Sequence, residues 1–193
     1  MVELVVSDIM SKVSDQRAHV LLLKEKEGLR KIIVALGLLE AQAIAFAIRD
    51  IPTVRPMTHD LFGAITSEFG IELQHVLIDN INDGTFHAKL CYRQGADIRV
   101  VDARTSDAIA IALRAKTPIY IEDGLLNRMC VQDERNGAIS IPITAADENT
   151  LRMAMDNAVK EENYELAMKL KEEIDSRHRS DADIADTKEN DKE

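Results

Sequence analysis

Apolar and polar residues change period several times along this chain, and each change marks an element. Residues 2–9, 18–26 and 29–36 alternate or run apolar, with turn material at Ser14, Asp15 and Gln16 and again at Glu27 and Gly28. That pattern predicts three antiparallel strands. Apolar positions then recur at helical spacing over 38–50, an Ala-rich helix closed by Pro52. Thr58 is placed to cap a second helix running to Phe69, with Gly70 as its stop. Strand patterns return at 71–79, 85–93 and 97–102, and Asn82, Asp83 and Gly84 give a hairpin signal between the first two. A strand-to-helix corner follows. The run 98–101 is apolar and β-branched apart from Arg99, Ser106 is positioned to cap the next helix, and Asp107 falls in its first turn, where a carboxylate complements the macrodipole. Beyond Pro118 come a short strand ending at Ile121, a helical turn over 124–129 and a last strand near 138–143.

An internal repeat organises these elements. Residues 42–49 read Gln-Ala-Ile-Ala-Phe-Ala-Ile-Arg and residues 107–114 read Asp-Ala-Ile-Ala-Ile-Ala-Leu-Arg, an offset of 65. Each copy follows three strands and precedes a proline. The expected fold is therefore α+β: a duplicated β-β-β-α core with a mainly antiparallel sheet and one extra helix. Across the offset, Asp102, Arg104 and Asp107 fall opposite Gly37, Leu39 and Gln42. A polar corner present in only one copy strengthens the case for a site there, beside the structural reading of a locked turn.

From Glu148 the pattern becomes two amphipathic helices, with Leu151, Met155 and Ala158 on the first and Tyr164, Ala167, Leu170 and Ile174 on the second. An αα-hairpin with such narrow apolar stripes needs a partner, either its own copy in a dimer or larger homo-oligomer, or another protein's helices. The expected domains are 1–145, the hairpin 147–178, and an acidic tail 179–193 whose composition predicts disorder.

Composition narrows the function. The net charge is −10, but 15 acidic against 8 basic residues lie from Asp147 onward, which leaves only −3 for residues 1–146. An acidic chain does not suit general duplex binding, which depends on neutralising phosphates, so any nucleic-acid role needs a local site. Cys91 and Cys130 lack metal-site spacing and are expected as buried, reduced thiols. No apolar run approaches membrane-spanning length, and the opening Met1-Val2-Glu3-Leu4 has no basic leader region. A cytoplasmic location without membrane contact is expected.

Residues 1 to about 145 resemble the bifunctional nuclease domain family. The resemblance is carried by Gly37 with Glu40 and Ala41, Arg55 and Pro56 with Thr58, His59, Asp60 and Leu61, Asp83 and Gly84 with Phe86, Asp102 to Arg104 with Ser106 to Ala110, and Arg114 before Pro118 and Ile119. Thr105 stands where the family usually has proline, and Val34 where an aromatic is common. Residues 148–177 resemble the UVR motif of the excision-repair proteins UvrB and UvrC, also found in Clp-type chaperones. Leu151, Ala158, Asn163, Tyr164, Glu165, Ala167, Leu170 and Ile174 carry it, with Lys171 and Glu172 replacing the usual Arg-Asp. The first resemblance implies cleavage of RNA and DNA, the second pairing of helical hairpins between chains.

Phosphodiester hydrolysis needs an activated water, charge relief on the phosphate and protonation of the leaving group. Glu40, Asp102 and Asp107 are candidate ligands for a divalent cation, Mg²⁺ or Mn²⁺, with Asp102 and Asp107 catalytic through it. Arg104, Arg55 and Ser106 are candidates for gripping the phosphate, and His59 for acid or base. Each also has a structural reading. Asp107 and Glu40 serve helix dipoles, Asp102 and Arg104 form an ion pair locking the turn, His59 bonds a neighbouring loop, and Arg55 anchors an extended segment. The competing function is a non-catalytic interaction module that recruits repair or protease machinery through the hairpin.

Overall fold

The computed structural model describes residues 1–11, 19–133, 139–140, 146, 148–160 and 163–190. The chain divides into two compact units, residues 1–82 with 86–140, and residues 83–85 with 141–193.

In the first unit, strands β1 (Val2–Ser11), β2 (His19–Glu25) and β3 (Lys31–Leu36) lead into helix α1 (Leu38–Ile48). Helix α2 (Thr58–Glu68) follows, then β4 (Glu72–Asn82), β5 (Thr85–Gln94), β6 (Asp97–Arg104) and helix α3 (Thr105–Ala115). The duplicated β-β-β-α order with one intervening helix is thus the observed order. A seven-stranded sheet runs β3-β2-β1-β7-β4-β5-β6, in which β7 (Ile119–Ile121) separates the two triplets. It pairs antiparallel to β1 and parallel to β4. The sheet is therefore mixed, with its antiparallel share supplied by β1, β2, β3, β5 and β6. Helix α4 (Asp123–Met129) and a small ladder of β8 (Gln132–Asp133) with β9 (Ile139–Ser140) complete the unit. The strand expected over 138–143 is described only at Ile139–Ser140; its remaining residues lie outside the described set.

Burial follows the sequence periods. Phe86, Ala88, Leu90 and Tyr92 of β5 are buried while Thr85, His87 and Lys89 between them are exposed, so one face of this strand is core. Helix α3 buries Thr105, Ala108, Ile109 and Ala112 at spacings of three and four, with Ala110 buried beside them. In β2, Leu21, Leu22 and Leu23 are buried in succession, which marks cover on both faces. The β4–β5 turn has positive φ at Asp83 (43°) and Gly84 (71°), the type I′ geometry that an Asp-Gly pair favours.

Helix ends explain how the functional side chains are aimed. Gly70, at φ 63°, donates its N–H to Ser67 O while Ile71 N–H reaches Thr66 O, the paired bonds of a Schellman stop. Lys116, at φ 53°, ends α3 in the same way, with Thr117 N–H donating to Ala112 O. At helix starts the sequence reading needs correction. Arg104, not Ser106, is the N-cap residue of α3, because Thr105 is drawn into the core, where its Oγ1 donates to Phe86 O at 2.7 Å. Met57, not Thr58, is the N-cap residue of α2, since the Asp60 carboxylate accepts its backbone N–H at 2.9 Å. Cys91 and Cys130 are free thiols, half-buried rather than fully buried.

In the second unit, α5 (Glu148–Lys160) and α6 (Tyr164–Asn190) form the αα-hairpin. Leu151, Ala158, Ala167, Leu170 and Ile174 make its core, with Ala146, Ala154 and Met155 packed against them. Tyr164, which the periodicity puts in the stripe, is instead exposed, as the first residue of its helix. Asn163 Oδ1 accepts the Leu166 backbone N–H, closing the helix start with a side-chain cap. Helix α6 continues past residue 179, where composition alone expects order to end, through a stretch with no Pro or Gly to stop it. Residues 191–193 lie outside the described set.

Candidate functional site

Three helix N-termini meet at one corner of the first unit. The first turn of α1 supplies Glu40, the second residue of α2 is His59, and the first turn of α3 supplies Asp107. Arg104 joins them from the end of β6. Its Nε and Nη2 both donate to the Asp107 carboxylate, at 2.8 and 3.3 Å, and its Nη1 donates to Glu40 Oε1 at 3.1 Å. His59 Nε2 lies 3.2 Å from Asp107 Oδ1. One carboxylate thus holds both a guanidinium fork and an imidazole, and the repeat has brought both of its helix starts to the same place.

Helix α2 is held in position by a second pair. Asp60, the residue after His59, accepts from Arg114 Nε on α3, while Arg114 Nη1 donates to Ala110 O at 3.0 Å. This ion pair is mostly shielded on the arginine side. It locks α2 to α3 one residue from the imidazole, so it positions His59 without belonging to the corner. The site reading from sequence omitted both Asp60 and Arg114, although their pairing across 54 residues is what local patterns cannot reveal. Gly37 has a comparable role at α1. A Cβ there would lie 2.4 Å from Glu40 Oε2, so glycine leaves the space the carboxylate occupies on its way to Arg104.

The charges are set by these contacts. Burial pushes the Asp107 carboxyl upward, but hydrogen bonds from Arg104 and His59 outweigh it and hold the group below its ordinary value. The Arg104 guanidinium is raised by its bonds to Asp107, then by Glu40. Asp60 follows Asp107: burial raises it, and Arg114 with the Met57 N–H brings the net shift below the ordinary range.

Three sequence candidates take other positions. Asp102 pairs in register with Lys89, whose ammonium is bonded to Asp79, and forms no hydrogen bond or ion pair with Glu40, Arg104 or Asp107 among the described residues. Strand alternation puts it on the face of β5 and β6 opposite the buried Ala88 and Leu90. The expected Asp102–Arg104 pair is replaced by Arg104 with Asp107 and Glu40. Arg55 is exposed on the loop before α2 and has no hydrogen-bond or ionic partner among the described residues. Ser106 is half-buried in the first turn of α3, and its hydroxyl is likewise unengaged there. His59 bonds a helix residue, not a loop.

The donor set does not fit the three-carboxylate cation site anticipated from the sequence. Among the described residues no three His, Cys, Asp or Glu groups converge as a metal site. Glu40 and Asp107 are instead both committed to Arg104. What the corner offers chemically is an oriented imidazole beside an exposed arginine.

Comparison with known proteins extends these local matches along the chain. The sequence profile of the Bifunctional nuclease domain matches residues 21–134, and that of the UvrB/uvrC motif matches residues 149–176. Two uncharacterized proteins of Mycobacterium tuberculosis, from strains CDC 1551 and H37Rv, are each 35% identical over 161 residues, covering 83% of this chain and 86% of each relative. No helix among the described residues is long and apolar enough to cross a membrane. The matched segment takes in every member of the corner from Glu40 to Asp107, and the chain belongs to the bifunctional nuclease domain family.

Proposed function

We propose that this protein hydrolyses phosphodiester bonds in RNA and DNA with little sequence selectivity, at the corner formed by Glu40, His59, Arg104 and Asp107. The observation that carries the reading is the His59–Asp107 contact, because a carboxylate kept ionised orients an imidazole for proton transfer. With Asp107 ionised, His59 Nε2 carries the hydrogen and donates it, leaving Nδ1 to take a proton from the attacking water. The phosphorus–oxygen bond to the leaving sugar then breaks, and the same proton passes to the departing oxygen.

Charge relief comes from arginine. The bonds to Asp107 and Glu40 use three of the five N–H groups of Arg104, whose side chain is 68% exposed, so two remain for a phosphate oxygen. Arg55 supplies a second guanidinium from the adjoining loop, and the Ser106 hydroxyl sits where helix N–H groups favour an anion. Contacts confined to phosphate carry no sequence information, which accounts for the low selectivity. The helical hairpin serves a separate purpose in this reading. Met153, Val159 and Met168 stay exposed outside its core, and with the UvrB/uvrC match they favour docking of a second hairpin from another protein or copy. A recruiting module without catalysis is the reading that survives if the corner proves inert.

The test is cleavage of labelled single-stranded RNA and DNA by purified protein in Mg²⁺, Mn²⁺ or EDTA, beside the Asp107→Asn variant. Cleavage by the wild type that falls at least about 10²-fold in the variant supports the proposal. Equal cleavage by both assigns the activity elsewhere.

A further inference from the structure

Helix α2 buries none of its 11 residues, and every position from Leu61 to Ile65 is exposed. Isolated helices shorter than about 12–15 residues are marginal in water, and in folded proteins the difference comes from packing an apolar face against something else. Such a face is present on α2. Leu61, Phe62, Ile65 and Phe69 fall within about 100° of one another around the helix axis, and they remain 40–66% exposed. Gly63, Ser67 and Gly70 lie on the opposite side. Two of the chain's four phenylalanines are thus at the surface, and aromatic side chains concentrate at the centres of protein interfaces. What ties α2 to its own unit leaves this stripe open: Asp60 pairs with Arg114, and the Phe62 ring meets Tyr92 with centroids 6.3 Å apart.

We propose that a second copy of this chain covers the stripe, with the two α2 helices packed antiparallel about a two-fold axis near Ile65. The stripe matches itself under that operation. Leu61 and Phe69 each lie four residues from Ile65, so Ile65 meets its own copy and each Leu61 meets the partner's Phe69, a closed contact between two i±4 ridges. The area fits as well. Four side chains of about 200 Å² each at these exposures leave roughly 400 Å² of apolar surface, close to the apolar half of the roughly 800 Å² that each partner contributes to a stable interface. Charge selects the antiparallel direction. Glu68 is the last residue of α2 and has no hydrogen-bond or ionic partner among the described residues. There it faces the negative end of its own helix dipole, whereas an antiparallel copy turns it toward the positive half of the facing helix. This contact uses neither the C-terminal hairpin nor the side chains of the corner.

Thiol crosslinking of the full chain tests this, with a short bismaleimide whose reach matches the roughly 8–10 Å between packed helix axes. Ile65→Cys sits at the axis and gives a linked species of twice the 21.5 kDa chain mass on a denaturing gel. Gly63→Cys, on the other side of the helix where a Cβ meets nothing within 4 Å, gives no more than the wild type, whose free Cys91 and Cys130 set the background. Adding Phe69→Glu or Leu61→Glu to Ile65→Cys places a carboxylate inside the contact and lowers the yield at least about tenfold. Both of these side chains are more than half exposed, so the variants keep the circular dichroism of the wild type. Undiminished linking in either variant, or equal linking at Gly63→Cys, overturns the pairing. No linking of Ile65→Cys above background overturns it too and leaves the stripe to a different protein.

Discussion

Asp107 is the residue on which the corner turns, since it is the shared partner of Arg104 and His59. Replacing it by asparagine keeps the shape and removes the charge, and cleavage is expected to fall about 10²- to 10⁴-fold, the span of a lost acid–base partner. Its ionisation also couples the fold to pH. The folded-state values of Asp107 and Asp60 lie below those of the unfolded chain, so both contribute stability that is fully present above the ordinary aspartate range near 4. That contribution is lost as pH falls through the lowered values. Urea midpoints measured from pH 7 down to pH 3 should therefore drop in the wild type and drop less in Asp60→Asn. Most of the corner was legible from the sequence, because Glu40 and Asp107 sit in first helical turns and His59 beside a helix start, positions that the pattern fixes. Asp102 misled for a physical reason: two residues along a strand from Arg104, it looks adjacent, yet the chain leaves the strand at Arg104 and only that side chain swings toward the helices.

Helices and strands decide how firmly the corner is held. Thr105 takes the position where proline is usual in the family, and its buried hydroxyl ties the start of α3 to β5 through Phe86 O. Thr105→Val leaves that carbonyl without its donor and should cost about 1–3 kcal/mol in chemical denaturation. Gly37 makes the opposite kind of contribution, an absence of atoms. Gly37→Ala is expected to fold normally, since the obstacle is only the end of a flexible glutamate. It should nevertheless detach Glu40 from Arg104, visible as a loss of cleavage about that of Glu40→Gln measured in parallel. The duplicated order of elements could be read from the chain because two eight-residue helical patterns repeat it. The place of β7 could not. Three residues carry no information about neighbours, and Ile119–Ile121 joins the two triplets through one antiparallel and one parallel pairing that only the assembled sheet defines.

At the scale of the whole molecule, chemistry and hairpin belong to separate compact units with separate cores. Leu151→Ala or Leu170→Ala empties part of the hairpin core, where such a truncation costs about 2–5 kcal/mol. Helicity of the second unit, followed by circular dichroism on heating, should fall at lower temperature in these variants while cleavage by the corner is retained. The low net charge of the first 146 residues is compatible with the proposed reading, in which Arg104 and Arg55 take the phosphate and no basic surface is called for. The most direct measurement compares initial cleavage rates of one labelled single-stranded RNA by the wild type, His59→Ala and Asp102→Ala. The corner predicts that His59→Ala loses at least about 10² in rate while Asp102→Ala keeps that of the wild type. Undiminished cleavage by His59→Ala, or its loss in Asp102→Ala, would contradict it.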